Sequence, residues 1–110
     1  TVAPLLPVPG WEDAYAGLIR AAADALAGVP DLDLTAELIT HRFTPGSKAV
    51  LRGWYPGSDL PLDEAERVEK RTKFGSVKHV FPKPLMQAMR APLTACLARD
   101  LPTARILYWT

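Results

Sequence analysis

Cysteine is almost absent from this sequence, since Cys96 is the only one in 110 residues. A single thiol excludes an internal disulfide, and it excludes a zinc or iron–sulfur site made from several cysteines of this chain alone. Long apolar runs are missing too, because none approaches the ~18 residues that a membrane-spanning helix requires. The charges nearly cancel, with 13 basic residues against 12 acidic ones and a net charge of +1. The net charge by itself therefore gives no indication of a polyanionic partner.

The composition is that of one folded domain. Hydrophobic residues make up 48% and charged residues 23%, as in globular proteins generally, and 110 residues suffice for a single small domain spanning 1–110. The sequence starts with neither an initiator methionine nor the basic region of a signal peptide, so we expect a fragment of a larger protein. With no transmembrane segment, we expect a cytoplasmic location and no membrane partner.

Apolar periodicity predicts alternating strands and helices in the order β-α-β-α-α-(extended)-α-β. The expected elements are a strand at Val2–Leu6, a helix from Trp11 to Gly28, a strand at Asp33–Ile39, a short helix capped by Ser47 and ending at Trp54, a helix at Asp63–Lys70, an extended segment at 74–82, a helix opening at Pro84, and a strand at Ala104–Trp109. Pro92 predicts a kink or a break in the last helix. The first strand, helix and strand predict a βαβ unit with parallel strands, which is part of an α/β sheet.

The basic residues are concentrated in residues 67–83. Six positive charges and one negative charge leave +5 over these 17 residues. Lys73 and Lys78 can neutralise phosphates, which favours a nucleic-acid partner. The interleaved Phe74 and Phe81 can stack on bases. A solvated surface whose aromatic side chains point inward explains the same composition, so both interpretations stay open.

A second group of polar residues, Thr40, His41 and Arg42, follows the second predicted strand. Ligands of α/β sheets bind beyond the carboxyl ends of the strands, so this position suits a binding site. Histidine transfers protons near neutral pH, and arginine holds a phosphate through two parallel hydrogen bonds. A loop whose polar groups satisfy one another fits the residues equally well.

The remaining candidates favour structural roles. Cys96 lies beside the apolar stripe of the last helix, as expected for a buried structural thiol. Tyr108 and Trp109 end a strand and suit a core or an interface. The sequence contains no glycine-rich phosphate loop, nucleophile elbow or metal-binding helix motif. We therefore assign no catalytic residue and no metal ligand to this chain.

Several short strings occur together in a distinctive order. They are Glu37-Leu-Ile-Thr-His-Arg-Phe-Thr44, Ser47-Lys48, Trp54-Tyr55-Pro56, Lys73-Phe74-Gly75, Lys78 and Ile106-Leu107-Tyr108-Trp109, preceded by Val2-Ala3-Pro4 and Gly10-Trp11. Together they resemble the C-terminal portion of the spore photoproduct lyases, and the resemblance extends over essentially the whole chain.

The resemblance implies DNA repair by radical S-adenosylmethionine chemistry. Members of that family reverse the spore photoproduct, a thymine dimer of irradiated spore DNA, with a 5′-deoxyadenosyl radical that a four-iron–four-sulfur cluster generates from S-adenosylmethionine. Three cysteines of a CxxxCxxC loop hold the cluster near the start of a partial (β/α)6 barrel of the TIM type. This chain lacks that loop. The resemblance therefore implies the C-terminal half of the barrel, which binds no cluster and is inactive alone.

The resemblance also implies partners and site residues. The partners are damaged DNA and the N-terminal half of the same barrel. Separately, the exposed strand edges of a half-barrel favour an edge-paired or domain-swapped homodimer. The family more usually has tyrosines at the positions of His79 and Phe81, so two hydroxyls are missing here. The implied cofactor contact is Ala3, which at the end of the first strand approaches S-adenosylmethionine through its backbone. The implied DNA contacts lie in a DNA-facing segment, residues 40–83. They are His41 near the lesion, Arg42 toward a phosphate, and Lys73 and Lys78 along the DNA groove. The alternative function is a stand-alone nucleic-acid-binding α/β module.

Overall fold

Three parallel strands form the central sheet of the computed structural model, which describes residues 1–110. The sheet has the order β1-β2-β5, with β1 at Val2–Leu5, β2 at Thr35–Thr40 and β5 at Arg105–Trp109. Alternate residues of β2 are buried, namely Ala36, Leu38 and Thr40. This confirms the predicted alternation of β2 and the parallel pairing of the first two strands.

Two long helices build the core against the sheet. They are α1, Trp11–Leu26, and α3, Lys83–Asp100, and they contact each other. Their apolar stripes meet the buried residues of β1 and β2, because residues at i, i+4 and i+8 share one helix face. The resulting core cluster consists of Leu5, Ile19, Ala36, Leu38, Met89, Leu93 and Leu97.

The chain between β2 and α3 lies apart from this core. It contains α2 at Pro45–Trp54, a 3-10 turn at Glu64–Glu66, and an antiparallel hairpin of β3, Val68–Arg71, and β4, Val77–Val80. The hairpin forms a separate two-stranded sheet. Only 12 of the 110 residues are buried, so the core is small for a chain of this length.

The helix expected at Asp63–Lys70 is wrong. Asp63 accepts a hydrogen bond from the Ala65 backbone N–H at 2.9 Å, which caps a single 3-10 turn, and the chain then becomes extended. In β3, Glu69 pairs with His79 and Lys70 pairs with Lys78. Cross-strand pairing has therefore overridden the local helix preference of this charged segment.

The expected cap of α2 is also wrong in its residue. Thr44 is the N-cap, since its side chain accepts from the Ser47 backbone N–H at 3.0 Å. Ser47 reciprocates, accepting at its hydroxyl from the Thr44 backbone N–H at 2.9 Å. The two residues form a capping box, and Pro45 takes the first helical position, where no amide hydrogen is needed.

The prediction of a broken last helix is wrong, because α3 continues through Pro92 to Asp100. Met89 and Leu93 on either side of the proline are fully packed in the core. Burial of the apolar side chains before and after Pro92 offsets the loss of the backbone hydrogen bond that proline cannot donate. The predicted kink stays a prediction.

Candidate nucleic-acid interface

The loop after β2 lies at the carboxyl end of the sheet, held by both neighbouring strands. The Thr40 amide donates to the Thr110 carbonyl oxygen at 2.6 Å, and the His41 amide donates to the Leu5 carbonyl oxygen at 2.9 Å. These bonds extend the ladders of β5 and β1 into the loop. His41 and Arg42 therefore emerge from the central strand at the sheet edge where α/β proteins bind ligands.

Arg42 packs against the end of β5. Its Nη2 donates to the Thr110 hydroxyl at 2.7 Å, while its Nε is buried and has no hydrogen-bond partner. Part of the guanidinium is thus committed within the chain. The role of Arg42 toward a phosphate stays a prediction.

Arg67 joins the loop to the hairpin and is buried, with 8% of its surface exposed. Its Nη1 donates to the His41 carbonyl oxygen at 2.9 Å, and its Nη2 donates to the Pro61 carbonyl oxygen, also at 2.9 Å. Its guanidinium carbon lies 3.7 Å from the Phe81 ring centroid and 5.1 Å from that of Phe43. Arg67, counted above with the basic segment, is therefore an internal residue that is not free to bind phosphate.

The same burial acts on two ionisable groups. Desolvation lowers the pKa of Arg67, and the nearby Glu66 charge opposes this effect. Desolvation also lowers the pKa of the half-buried His41 imidazole, and the positive charge of Arg67 lowers it further. The neutral form of His41 is therefore favoured at neutral pH.

Phe43 holds the hairpin against the loop. The Phe43 amide donates to the His79 carbonyl oxygen at 3.2 Å, and the His79 amide donates to the Phe43 carbonyl oxygen at 2.7 Å. The two rings stack with their centroids 5.0 Å apart. The hairpin is therefore fixed beside the carboxyl end of β2, although it belongs to another sheet.

The two phenylalanines of the basic segment have opposite environments. Phe81 is buried under Arg67, as the inward-pointing interpretation expected. Phe74 is 97% exposed at the tip of the hairpin, next to the exposed Lys73. The inward orientation is thus confirmed for Phe81, and Phe74 is exposed, while its stacking on a base stays a prediction.

The hairpin tip is a tight, positively charged turn. Gly75 has a φ of +81°, which suits glycine, and its amide donates to the Thr72 carbonyl oxygen at 3.1 Å. Lys78 is half-buried in β4 and lies opposite Lys70 in the hairpin register. No basic residue of the hairpin strands or of the turn between them forms a salt bridge within residues 1–110. The basic hairpin, residues 68–80, therefore presents uncompensated positive charge.

Lys48 is a contributor that the sequence analysis did not assign to the site. Its Nζ forms a 2.6 Å salt bridge with Glu64 and lies 5.9 Å from the Phe43 ring centroid. The hydrogen bond from Lys48 lowers the pKa of the exposed Glu64 carboxyl. This ion pair connects α2 to the turn before β3, and nothing in the local sequence pattern signals it.

The remaining predicted residues lie elsewhere. Ala3 is exposed in the middle of β1, where the sequence analysis expected the end of the strand. Cys96 is half-buried against the core cluster, and Arg99 Nη2 lies 3.9 Å from its sulfur. Trp109 packs against the core, whereas Tyr108 is exposed.

Two kinds of site find no support in residues 1–110. No group of three or more histidine, cysteine or acidic side chains is arranged to hold a metal ion. No helix is both long and apolar enough to cross a membrane.

Comparison with known proteins identifies consistent relatives. The family model described as spore photoproduct lyase matches residues 1–110. The spore photoproduct lyase of Geobacillus sp. (strain Y412MC61) is 38% identical over 109 residues, covering 99% of this chain and 32% of the relative. That of Bacillus subtilis (strain 168) is 37% identical over 109 residues, with the same coverage. The chain spans about a third of the length of these curated relatives.

Solved structures agree with the sequence relatives. A spore photoproduct lyase variant with bound AdoMet and dinucleoside spore photoproduct matches with a TM-score of 0.91 at 35% identity. A spore photoproduct lyase complexed with dinucleoside spore photoproduct matches with a TM-score of 0.92 at 35% identity. Each match covers 99% of this chain and 32% of the solved chain. The mixed α/β fold of residues 1–110 therefore corresponds to one part of those structures.

Proposed function

Because this chain belongs to the spore photoproduct lyase family, we propose that it is the C-terminal part of a DNA-repair lyase that reverses a thymine dimer. In this proposal the chain supplies a DNA-facing segment, residues 40–83, and the chemistry belongs to the complete enzyme. The observation that carries the proposal is the uncompensated basic hairpin fixed beside the carboxyl end of β2.

The charges and the exposed ring of the hairpin support contact with DNA. Lys73 and Lys78 have no acidic partner, so phosphates can take that place and release counterions. Phe74 offers an exposed ring on which an unpaired base can stack. His41 and Arg42 lie on the loop next to this surface, where a bound lesion would reach them.

The sheet supports a larger assembly. Its outer strands, β1 and β5, each pair on one side only, and the core is small. We therefore propose that the N-terminal half of the same barrel continues the sheet beside β1, so that the two halves form a partial (β/α)6 barrel. An uncovered edge strand exposes unpaired backbone N–H and C=O groups, and native proteins normally cover or shorten such edges.

The cofactors divide between the two halves. The cluster does not fit residues 1–110, because one cysteine and no group of three metal ligands are present. Ala3 is an exposed residue of β1, and this position fits a peripheral contact to S-adenosylmethionine. In the complete enzyme S-adenosylmethionine would supply the radical. In this proposal Ala3 contributes only to the binding of S-adenosylmethionine. We expect the 110 residues alone to be inactive.

A salt series tests the DNA surface. The affinity of the complete natural polypeptide for DNA is measured at several salt concentrations, together with Lys73→Ala, Lys78→Ala and the double variant. If each lysine contacts a phosphate, the slope of log affinity against log salt shrinks by roughly 0.7–0.9 per lysine removed. Lys73 is exposed, Lys78 is half-buried, and neither forms a salt bridge, so stability should stay within about 1 kcal/mol.

The matched control is Arg90→Ala, which removes an exposed positive charge from α3, outside the segment 40–83. Its slope should equal that of the parent protein. Equal slopes for all variants would show that the hairpin lysines do not face DNA. Anaerobic reconstitution with iron and sulfide tests where the cluster binds. The complete polypeptide should show the visible absorption of an iron–sulfur cluster, and residues 1–110 alone should not.

A further inference from the structure

The His41 ring is held by a donor that cannot accept a hydrogen bond. Arg67 Nη2 lies 3.3 Å from His41 Nδ1, and the same nitrogen donates its other hydrogen to the Pro61 carbonyl oxygen at 2.9 Å. A guanidinium has five N–H donors and no acceptor, and it stays protonated in proteins. Nδ1 must therefore carry the lone pair, and the proton of the neutral ring must be on Nε2.

The position of Arg67 makes this arrangement rigid. Its hydrogen bond to the His41 carbonyl oxygen fixes the backbone of the same residue whose ring it contacts. The Phe43 and Phe81 rings flank the guanidinium, and it forms no salt bridge within residues 1–110. The His41 amide is bonded to Leu5, so both ends of the residue are held. Nε2, in contrast, has no hydrogen-bond partner in the chain.

We propose that Arg67 is a positioning residue that keeps His41 as the neutral Nε2–H tautomer, so that the ring presents one hydrogen-bond donor to an acceptor oxygen of bound DNA. This role deepens the proposed function and rests on it for the identity of the ligand. This role of His41 differs from the proton transfer considered in the sequence analysis, because the neutral ring donates a hydrogen bond and keeps its proton. Arg67 thus couples the start of the hairpin to the loop that follows β2.

The charged surroundings of His41 agree with a neutral ring. Arg67 is the charged group in contact with it, and a second proton on Nδ1 would oppose that positive charge. His79 stacks on the Phe43 ring, the Lys48–Glu64 ion pair lies near that ring, and Glu66 adjoins Arg67. Glu64 is already neutralised by Lys48, so no free carboxylate in contact with the ring favours the imidazolium.

Nitrogen-15 NMR of the complete natural polypeptide, labelled in histidine, tests the tautomer without DNA. The His41 signals are assigned by their loss in His41→Gln. Near pH 7.5 we expect Nδ1 at the chemical shift of an unprotonated ring nitrogen and Nε2 at that of a protonated one. Arg67→Gln should give a mixture of tautomers, whereas Arg71→Gln, an exposed arginine of the same hairpin, should leave the signals unchanged. A protonated Nδ1 in the parent protein overturns the proposal, whether or not the Arg67 variant folds.

Binding to lesion-containing DNA tests the donor itself. Glutamine places an amide N–H near the position of Nε2, and asparagine places it near that of Nδ1. We expect His41→Gln to retain most of the affinity and His41→Asn to lose about tenfold. Equal losses for both variants would refute the donor role. If the parent protein bound no DNA, the proposed function would fail, while the NMR result would still decide the effect of Arg67 on the ring.

Discussion

Phe43 and Phe74 form a natural pair for separating the folding of the hairpin from its binding to DNA. Phe43 is 2% exposed, stacks on His79 at 5.0 Å and flanks the buried Arg67, whereas Phe74 is 97% exposed. Truncation of a buried phenylalanine costs about 3–5 kcal/mol, and loss of the aromatic stacking accounts for roughly 0.5–1.5 kcal/mol of that range. Truncation of an exposed one changes stability by no more than about 0.5 kcal/mol.

Phe43→Ala should therefore lower the free energy of unfolding by about 3–5 kcal/mol, a large fraction of the 5–15 kcal/mol typical of a whole domain. Phe74→Ala should leave it unchanged and should weaken binding to DNA by about 1–3 kcal/mol per stacked base. Denaturant unfolding measures the first quantity, and a DNA titration measures the second. Because each variant removes the same atoms, the comparison cancels the effect of side-chain size. A loss below about 1 kcal/mol for Phe43→Ala would refute the inference that its contacts hold the hairpin in place.

Three further outcomes follow from the contacts around the loop. Arg42→Lys keeps the charge but loses the planar fork, so affinity for lesion DNA in the complete protein should fall by about tenfold, and loss of the hydrogen bond to Thr110 should cost about 1 kcal/mol of stability; normal binding would make Arg42 structural. The pKa of His41 is lowered from 6.5 in the folded protein, so the unfolded chain takes up a proton at this residue first as the pH falls. The free energy of unfolding should therefore decrease below about pH 6.5. Unfolding curves of His41→Gln should not show this decrease. Thr44→Ala removes the acceptor for the Ser47 amide and should cost about 1 kcal/mol in thermal or denaturant unfolding, and an unaltered midpoint would show that the cap is dispensable.

Local patterns determined the secondary structure wherever an apolar period was long. The helix beginning at Trp11, the inward positions of Ala36 and Leu38, and the last strand agree with the structure, whereas Thr40, expected after the strand, is the buried last residue of β2. These elements bury their apolar residues against one another, so their pattern is set by the same burial that stabilises them. The predicted helix at Asp63–Lys70 fails for the opposite reason. It is a charged, exposed segment, and its conformation depends on pairing with β4.

The place of the candidate site was predictable, and its internal contacts were not. Parallel strands bring their carboxyl ends to one edge of a sheet, so the sequence alone could place His41 and Arg42 at that edge. Nothing in the basic segment, however, distinguishes Arg67 from the other basic residues of the hairpin region. Arg67 is internal because the fold brings Pro61, His41 and two rings around it.

Composition and spacing along the chain established the βαβ order, the concentration of positive charge in residues 67–83 and the motif strings that resemble the spore photoproduct lyases. These are properties of composition and spacing, which are written along the chain. The folded chain establishes which phenylalanine is exposed, which arginine is internal and which ring nitrogen of His41 contacts a guanidinium. Those outcomes depend on contacts between residues far apart in sequence, such as Arg67 with His41 and Phe43 with His79, and short-range periodicity holds no information about such pairs.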